Sequence, residues 1–164
     1  LKNQKVISLV SDAGTPAISD PGSNLISKCY EIGVQVRPIP GASAILSAVS
    51  VSGFSDNFYF CGFLPKKQTE LEKFLAKTKL VKASLVFFMP ARDLGKNSKF
   101  LTKYFPKSNF LIAREMTKVH ETYIKDTIVN INKYVQDNDK GEMTLVIDNS
   151  VEEKTDINLS LIHI

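Results

Sequence analysis

The chain has 164 residues, 43% of them hydrophobic and 23% charged, and a net charge of +4. That balance excludes a disordered or fibrous chain, and no apolar run approaches the roughly 18 residues of a membrane-spanning helix. Cys29 and Cys61 lie far apart in apolar surroundings, and His120 is the lone histidine outside the last six residues. This pattern points to buried thiols in a reducing compartment rather than to a disulfide or a metal pair.

The first element is an apolar run over residues 6–10 that breaks into Ser11-Asp12-Ala13-Gly14-Thr15-Pro16. A parallel strand ending in a small-residue loop with one carboxylate exposes backbone N–H groups and a single acid to a ligand. Taken alone it is equally an ordinary βα turn, with Asp12 as a turn cap. Residues 25–32 read as a helix, with Asp20 and Ser23 near its start and Gly33 past its end. A second strand over residues 34–39 ends in Pro40-Gly41-Ala42-Ser43-Ala44 and passes into a small, apolar helix over 43–52, closed by Gly53. Two such loops, one helix apart, are expected side by side above one sheet edge, as the floor of a ligand cleft. The helix start at Ser43 and Ala44 offers free N–H groups to an anion, and Ser43 is also a plain N-cap. Residues 54–57 link to an aromatic strand over 58–61. The domain boundary is placed there, giving a first unit over 1–54, a second over 58–150 and a tail over 151–164.

Downstream, residues 68–78 form an amphipathic helix with Leu71, Phe74 and Leu75 on one face. Residues 84–89 are a continuously apolar strand, buried on both faces. A helix over 94–105 and a strand over 109–113 follow, with 121–125 pairing beside it after a turn around Thr117. A helix over 128–135 and a strand over 143–147 complete the order, a βαβ remnant followed by a mixed α/β unit. Charge is uneven along this half. Residues 65–107 hold eleven Lys and Arg against three acids, and residues 108–153 hold five against nine. The basic block, with Lys66, Lys67, Lys73 and Lys77 at its front, suits a polyanion or is a solvated lysine-rich helix face.

The linked set SDAGTPxISDPG, PGxSA, GFLPKK (62–67), AREMTKVHET (113–122) and KGEMTLVID (140–148) comes in one order. Over about residues 5–149 that order resembles the class III, tetrapyrrole-methylase-like methyltransferases. Within them it is most similar to the small-subunit ribosomal RNA methyltransferase I subfamily. The resemblance implies a two-domain α/β class III methyltransferase fold, the first domain a partial parallel sheet and the second a mixed one. It implies S-adenosylmethionine as cofactor and the ribose 2′-oxygen of a cytidine in 16S rRNA as methyl acceptor. It also implies the small ribosomal subunit as partner, a homodimer, a cytoplasmic location and no metal. By the same resemblance Asp12, Ala13, Gly14, Thr15 and Ile18, with Ser43 and Ala44, lie against the cofactor. Backbone at Met89 and Pro90 and, from the other side, at Met143 and Thr144 closes on the adenine. Many relatives carry an aromatic or acidic residue where this chain has Met89 and Pro90, which bears on side-chain roles only.

Arg114, Glu115, Lys118 and Glu121 cannot all be core. A ribose hydroxyl needs help to lose its proton near neutrality, so Glu115 is the candidate base and Lys118 the candidate group that lowers the hydroxyl's pKa. The alternative is a structural Arg114–Glu115 ion-pair cluster bracing a hairpin, or a dimer contact. Tetrapyrrole or corrin-precursor methylation is the rival from the same fold. Those relatives carry GDP-type loops where this chain has Gly14-Thr15-Pro16, and they lack the AREMTK and KGEM segments. Diphthine-type methylation is disfavoured for the same reason, and a non-catalytic RNA-binding protein leaves the two small-residue loops without a purpose. Family members carry a further N-terminal portion with the first strand and a TPIGN-like loop, so the chain is expected to be a fragment. Residues 159–164 are what CTGTCTCTTATACACATC encodes, and are expected to be a sequencing-adapter scar.

Overall fold

The structure is a computed structural model and describes residues 6–12, 14–136 and 140–150. Five strands make one mixed sheet: β1 (Phe58–Phe63), β2 (Ser84–Pro90), β3 (Asn109–Arg114), β4 (Thr122–Thr127) and β5 (Glu142–Asp148). Their spatial order is β1-β2-β5-β3-β4. β1 and β2 run parallel, and the other neighbours are antiparallel. β5, last in the chain, therefore sits in the centre, which is why Met143 to Ile147 is an uninterrupted buried run with one polar member, Thr144.

Four α-helices accompany the sheet: α1 (Ser23–Glu31), α2 (Ala44–Ser52), α3 (Gln68–Thr78) and α4 (Leu94–Tyr104). Side chains alternate between faces along each strand, and the two faces carry different cores. Leu85, Phe87 and Met89, with Phe110, Ile112, Met143, Leu145 and Ile147, meet Leu71 and Leu75 of α3 and Leu94 and Leu101 of α4. Val86, Leu111, Ala113 and Val146 face the other way and take Ile45 and Ala48 of α2. α2 is fixed at both ends. Ser43 caps its start by accepting from the Leu46 N–H at 3.4 Å, and Gly53 ends it in a left-handed conformation. Lys125 of β4 then donates to the Ser52 carbonyl at 2.6 Å and lies 4.7 Å over the Phe54 ring.

The expected strands from residue 58 onward and all but one of the expected helices are present, α3 over the expected residues. The segment expected as a helix over 128–135 is a 3-10 turn over Ile128–Tyr134. Three of its seven residues are β-branched, and Asp126 holds the segment tight by accepting from Asn130 Nδ2 at 2.9 Å and Tyr134 Oη at 2.7 Å. The runs at 6–10 and 34–39, expected as strands, form no ladder with any described residue. Their apolar content reads as strand, but a strand is held by a hydrogen-bonded neighbour, and here Val6, Val10 and Ile39 stand exposed instead. α1 likewise buries none of its residues. Ala13 and the hexapeptide 159–164 lie outside the described residues. Among the described residues no helix is long and apolar enough to cross a membrane.

Candidate active site

Three strand ends converge at one edge of the sheet. Met143, near the start of β5, pairs with Met89 near the end of β2 on one side and with Arg114 at the end of β3 on the other. Thr144 lies between Phe88 and Ala113 in the same way. The Ala91 N–H donates to the Gly141 carbonyl at 2.9 Å, closing the edge beyond Pro90. The four adenine-edge candidates from the sequence, Met89, Pro90, Met143 and Thr144, are thus brought together. Met89 and Met143 turn their side chains into the core under α4, where Asn97 Nδ2 donates to Met89 Sδ at 3.2 Å. They can offer only backbone to a ligand. Thr144 points to the opposite face, the one α2 covers, and is itself buried.

The β3–β4 turn adds the polar groups. Lys118 Nζ donates to Glu115 Oε2 at 2.9 Å, with the lysine side chain 65% exposed and the carboxylate 30%. Glu115 and Thr117 both hold left-handed backbone, at φ +49° and +66°. Such non-glycine conformations cost about 1–3 kcal/mol each and persist only where neighbours enforce them. Here the Lys118 N–H donates to the Glu115 carbonyl at 2.9 Å, the Glu121 N–H to the Lys118 carbonyl at 3.2 Å, and the Thr117 N–H to the Glu121 carboxylate. An ion pair in this turn joins Glu115 to Lys118. Gly141 completes the arrangement: a Cβ there would come within 2.7 Å of Glu115 Oε1. The sequence reading did not single out Gly141, although the KGEM segment contains it and its φ of +84° is one that favours glycine.

The two small-residue loops lie side by side as their spacing suggests. Among the described residues a Cβ built on Gly14, at φ +72°, would meet only the Ala42 carbonyl, at 3.9 Å. Asp12, Thr15 and Ile18 are exposed around it. From Ala42 the chain enters α2, so the loop pair and the helix start at Ser43 and Ala44 form one surface, and α2 carries that surface onto the face that holds Thr144. The four lysines do not form one group. Lys67 pairs with Glu70 at 3.2 Å, and Lys73 and Lys77 occupy the side of α3 opposite Leu71 and Leu75. Lys66 instead faces Lys96 and Lys99 of α4 across a groove, a grouping the sequence reading missed because the two segments are thirty residues apart. Cys61 is not part of this chemistry: burial pushes its thiol up to about 12, far from a reactive thiolate at neutral pH.

The domain is a mixed sheet with helices on both faces, backbone-lined strand ends and a polar hairpin at one edge. Across residues 1–132 the chain matches the family described as Tetrapyrrole (Corrin/Porphyrin) Methylases. The chain belongs to the tetrapyrrole methylase family. Within it, the chain is 37% identical over 158 residues to a Neisseria meningitidis serogroup A protein named Ribosomal RNA small subunit methyltransferase I, covering 94% of this chain and 54% of that protein. A Thermotoga maritima protein of the same name is 39% identical over 151 residues, covering 90% of this chain and 67% of the relative. The chain therefore spans about half to two thirds of the length of these curated relatives.

Solved structures share the fold at low identity. The methyltransferase CobJ superposes with a TM-score of 0.59 at 18% identity, over 82% of this chain and 61% of that one. The Thermus thermophilus uroporphyrin-III C-methyl transferase complexed with S-adenosylhomocysteine superposes with a TM-score of 0.51 at 15% identity, over 81% and 62%.

Proposed function

We propose that this protein transfers a methyl group from S-adenosylmethionine to the ribose 2′-oxygen of a cytidine in small-subunit ribosomal RNA. It acts on the small ribosomal subunit in the cytoplasm, as a homodimer, in keeping with the family resemblance of its motifs. The observation that carries this reading is the 37% and 39% identity, over nine-tenths or more of the chain, to proteins named Ribosomal RNA small subunit methyltransferase I. The geometry supports it by gathering Glu115, Lys118, Gly141 and the backbone ends at Met89–Pro90 and Met143–Thr144 on one sheet edge.

When bound, S-adenosylmethionine supplies a methyl group on a positively charged sulfur. The residues present suit such a group by the chemistry of their donors. With the Leu46 N–H taken by Ser43 Oγ and the Ser47 N–H by the Ser43 carbonyl, the Ala44 and Ile45 N–H groups have no partner among the described residues at the start of α2, where a carboxylate is favoured. The exposed Asp12 carboxylate attracts a cationic amino group, the open backbone at Gly14 and Thr15 allows close approach, and Ile18 offers apolar contact. Backbone at Met89, Pro90, Met143 and Thr144 reads a base edge by hydrogen bonds that do not depend on side-chain identity. Glu115 and Lys118 present an acceptor and a donor 2.9 Å apart. A ribose hydroxyl that reaches both groups loses its proton to Glu115 while Lys118 stabilises the charge that develops on oxygen.

Methyl transfer to purified small ribosomal subunits that lack the modification tests this reading. Isotopically labelled methyl is expected in a cytidine ribose when the RNA is digested and analysed by mass spectrometry. Label on a base, or none in RNA, would overturn it.

A further inference from the structure

A groove of about 240 Å³ opens between the start of α3 and the first turns of α4. Lys66, Lys96 and Lys99 line it together with Gln68 and Gly95, over an apolar floor of Leu71 and Phe100. No acidic side chain lines it among the described residues. The two glutamates of α3 are occupied elsewhere, Glu70 by Lys67 and Glu72 by Lys103 at 3.1 Å. Lys66 and Lys96 have no ion pair or hydrogen-bond partner among the described residues, and Lys99 lies 4.9 Å from the Phe100 ring centroid. Three ammonium groups and an amide around one concavity with an apolar floor suit a phosphodiester flanked by a sugar or base.

The place of the groove matters as much as its charge. β1 ends at Phe63 beside Phe88 of β2, the two strands running parallel. α3 starts five residues after β1 ends, and α4 starts four residues after β2 ends. Both helix starts therefore sit at the same sheet edge as Met89–Pro90, on the face opposite α2.

We propose that this groove grips the phosphate backbone of the RNA substrate, so that the strand crosses the sheet edge from Lys66, Lys96 and Lys99 toward Glu115 and Lys118. The inference rests on the reading of RNA as the substrate. It replaces a diffuse basic surface with a defined contact in which Lys96 and Lys99 matter and Lys73 and Lys77 matter less.

Two triple variants of equal charge change test it. Lys66→Gln/Lys96→Gln/Lys99→Gln empties the groove. Lys79→Gln/Lys82→Gln/Lys107→Gln removes three cations from the opposite edge, where α3 ends and β2 and β3 begin. Binding of a fluorescently labelled small-subunit rRNA transcript is followed by anisotropy over a range of salt concentrations, with melting curves for both proteins. The groove triple is expected to bind roughly tenfold or more weakly, and its log–log salt slope should fall by about two, as the loss of three phosphate contacts requires. The opposite-edge triple should keep most of its affinity, and Lys66→Arg/Lys96→Arg/Lys99→Arg should restore binding. Equal losses in the two glutamine triples, or none in either, would overturn the groove while leaving RNA as the substrate. An unsubstituted protein with no saturable binding to the transcript would overturn both.

Discussion

Glu115 is the residue on which most of the candidate chemistry turns, and three features hold it: the Lys118 ammonium, its own left-handed backbone and the absence of a side chain at Gly141. If it accepts the ribose proton, Glu115→Gln and Lys118→Met should each slow single-turnover methylation about 100-fold, the usual scale of general acid–base help, with little change in melting temperature. Gly141→Ala should produce the same loss without touching either charge, because its methyl displaces the carboxylate. A lowered melting temperature with an intact single-turnover rate would make the pair a hairpin brace instead. Gly14 is the corresponding residue in the candidate cofactor loops. Its φ of +72° favours glycine, so Gly14→Val should abolish S-adenosylmethionine binding in a calorimetric titration while leaving the sheet folded. Wild-type affinity in that variant would remove the loop from the site.

At the scale of elements, α2 is the piece that connects the candidate cofactor loops to the sheet, and Lys125 is its fastener. The ammonium meets the carbonyl end of the helix, where a cation opposes the helix dipole, and also covers the Phe54 ring. Lys125→Met should therefore cost about 1–2 kcal/mol by those two effects together, read as a lower denaturation midpoint. An unchanged midpoint would mean that α2 is held by Ile45 and Ala48 alone. The 3-10 segment has a different fastener. Hydrogen bonds from Asn130, Tyr134 and Thr127 hold the Asp126 carboxyl down at about 2, below the ordinary carboxylate value of about 3.9. A lowered folded-state value adds stability that is complete above about pH 4 and is lost as pH falls through about 2. The melting-temperature gap between wild type and Asp126→Asn should accordingly be full at pH 6 and shrink between pH 4 and pH 2. A gap that does not vary over that range would contradict the assignment.

Taken as a whole molecule, the protein is unevenly stabilised. Residues 58–150 share a sheet with core on both faces, and α2 joins one of those faces, whereas no residue of α1 or of the described segments before Ile45 is buried. Hydrogen exchange reports such differences, because a segment without buried apolar contacts opens at little cost. Amides of β2, β3 and β5 should exchange slowest, those of α2 should be protected along with the sheet, and those between residues 6 and 41 should exchange fastest. Equal protection of α1 and β5 would show that the first part of the chain is held by contacts outside the described residues. The proposed division of the chain at residues 54–58 meets the same measurement, since α2 lies before it in sequence and packs beyond it in space.

The local elements were legible because their causes are local. The helical spacing of Leu71, Phe74 and Leu75 on one face specifies α3, and the continuous apolar run of β2 specifies a strand buried on both faces. Gly14, Ser43 and Gly53 announce turns and caps by their chemistry alone. Strand pairing was not legible in the same way: the apolar run at 6–10 carries the same signal as a true strand, and only a hydrogen-bonded neighbour makes the difference. The tertiary structure alone placed the last strand between β2 and β3, and so put Met143 beside Met89 and Gly141 against Glu115. It alone brought Lys66 to Lys96 and Lys99. Such contacts join residues some thirty to fifty positions apart, and they follow from which strands find each other across a sheet, an outcome of long-range packing that no local window of sequence contains.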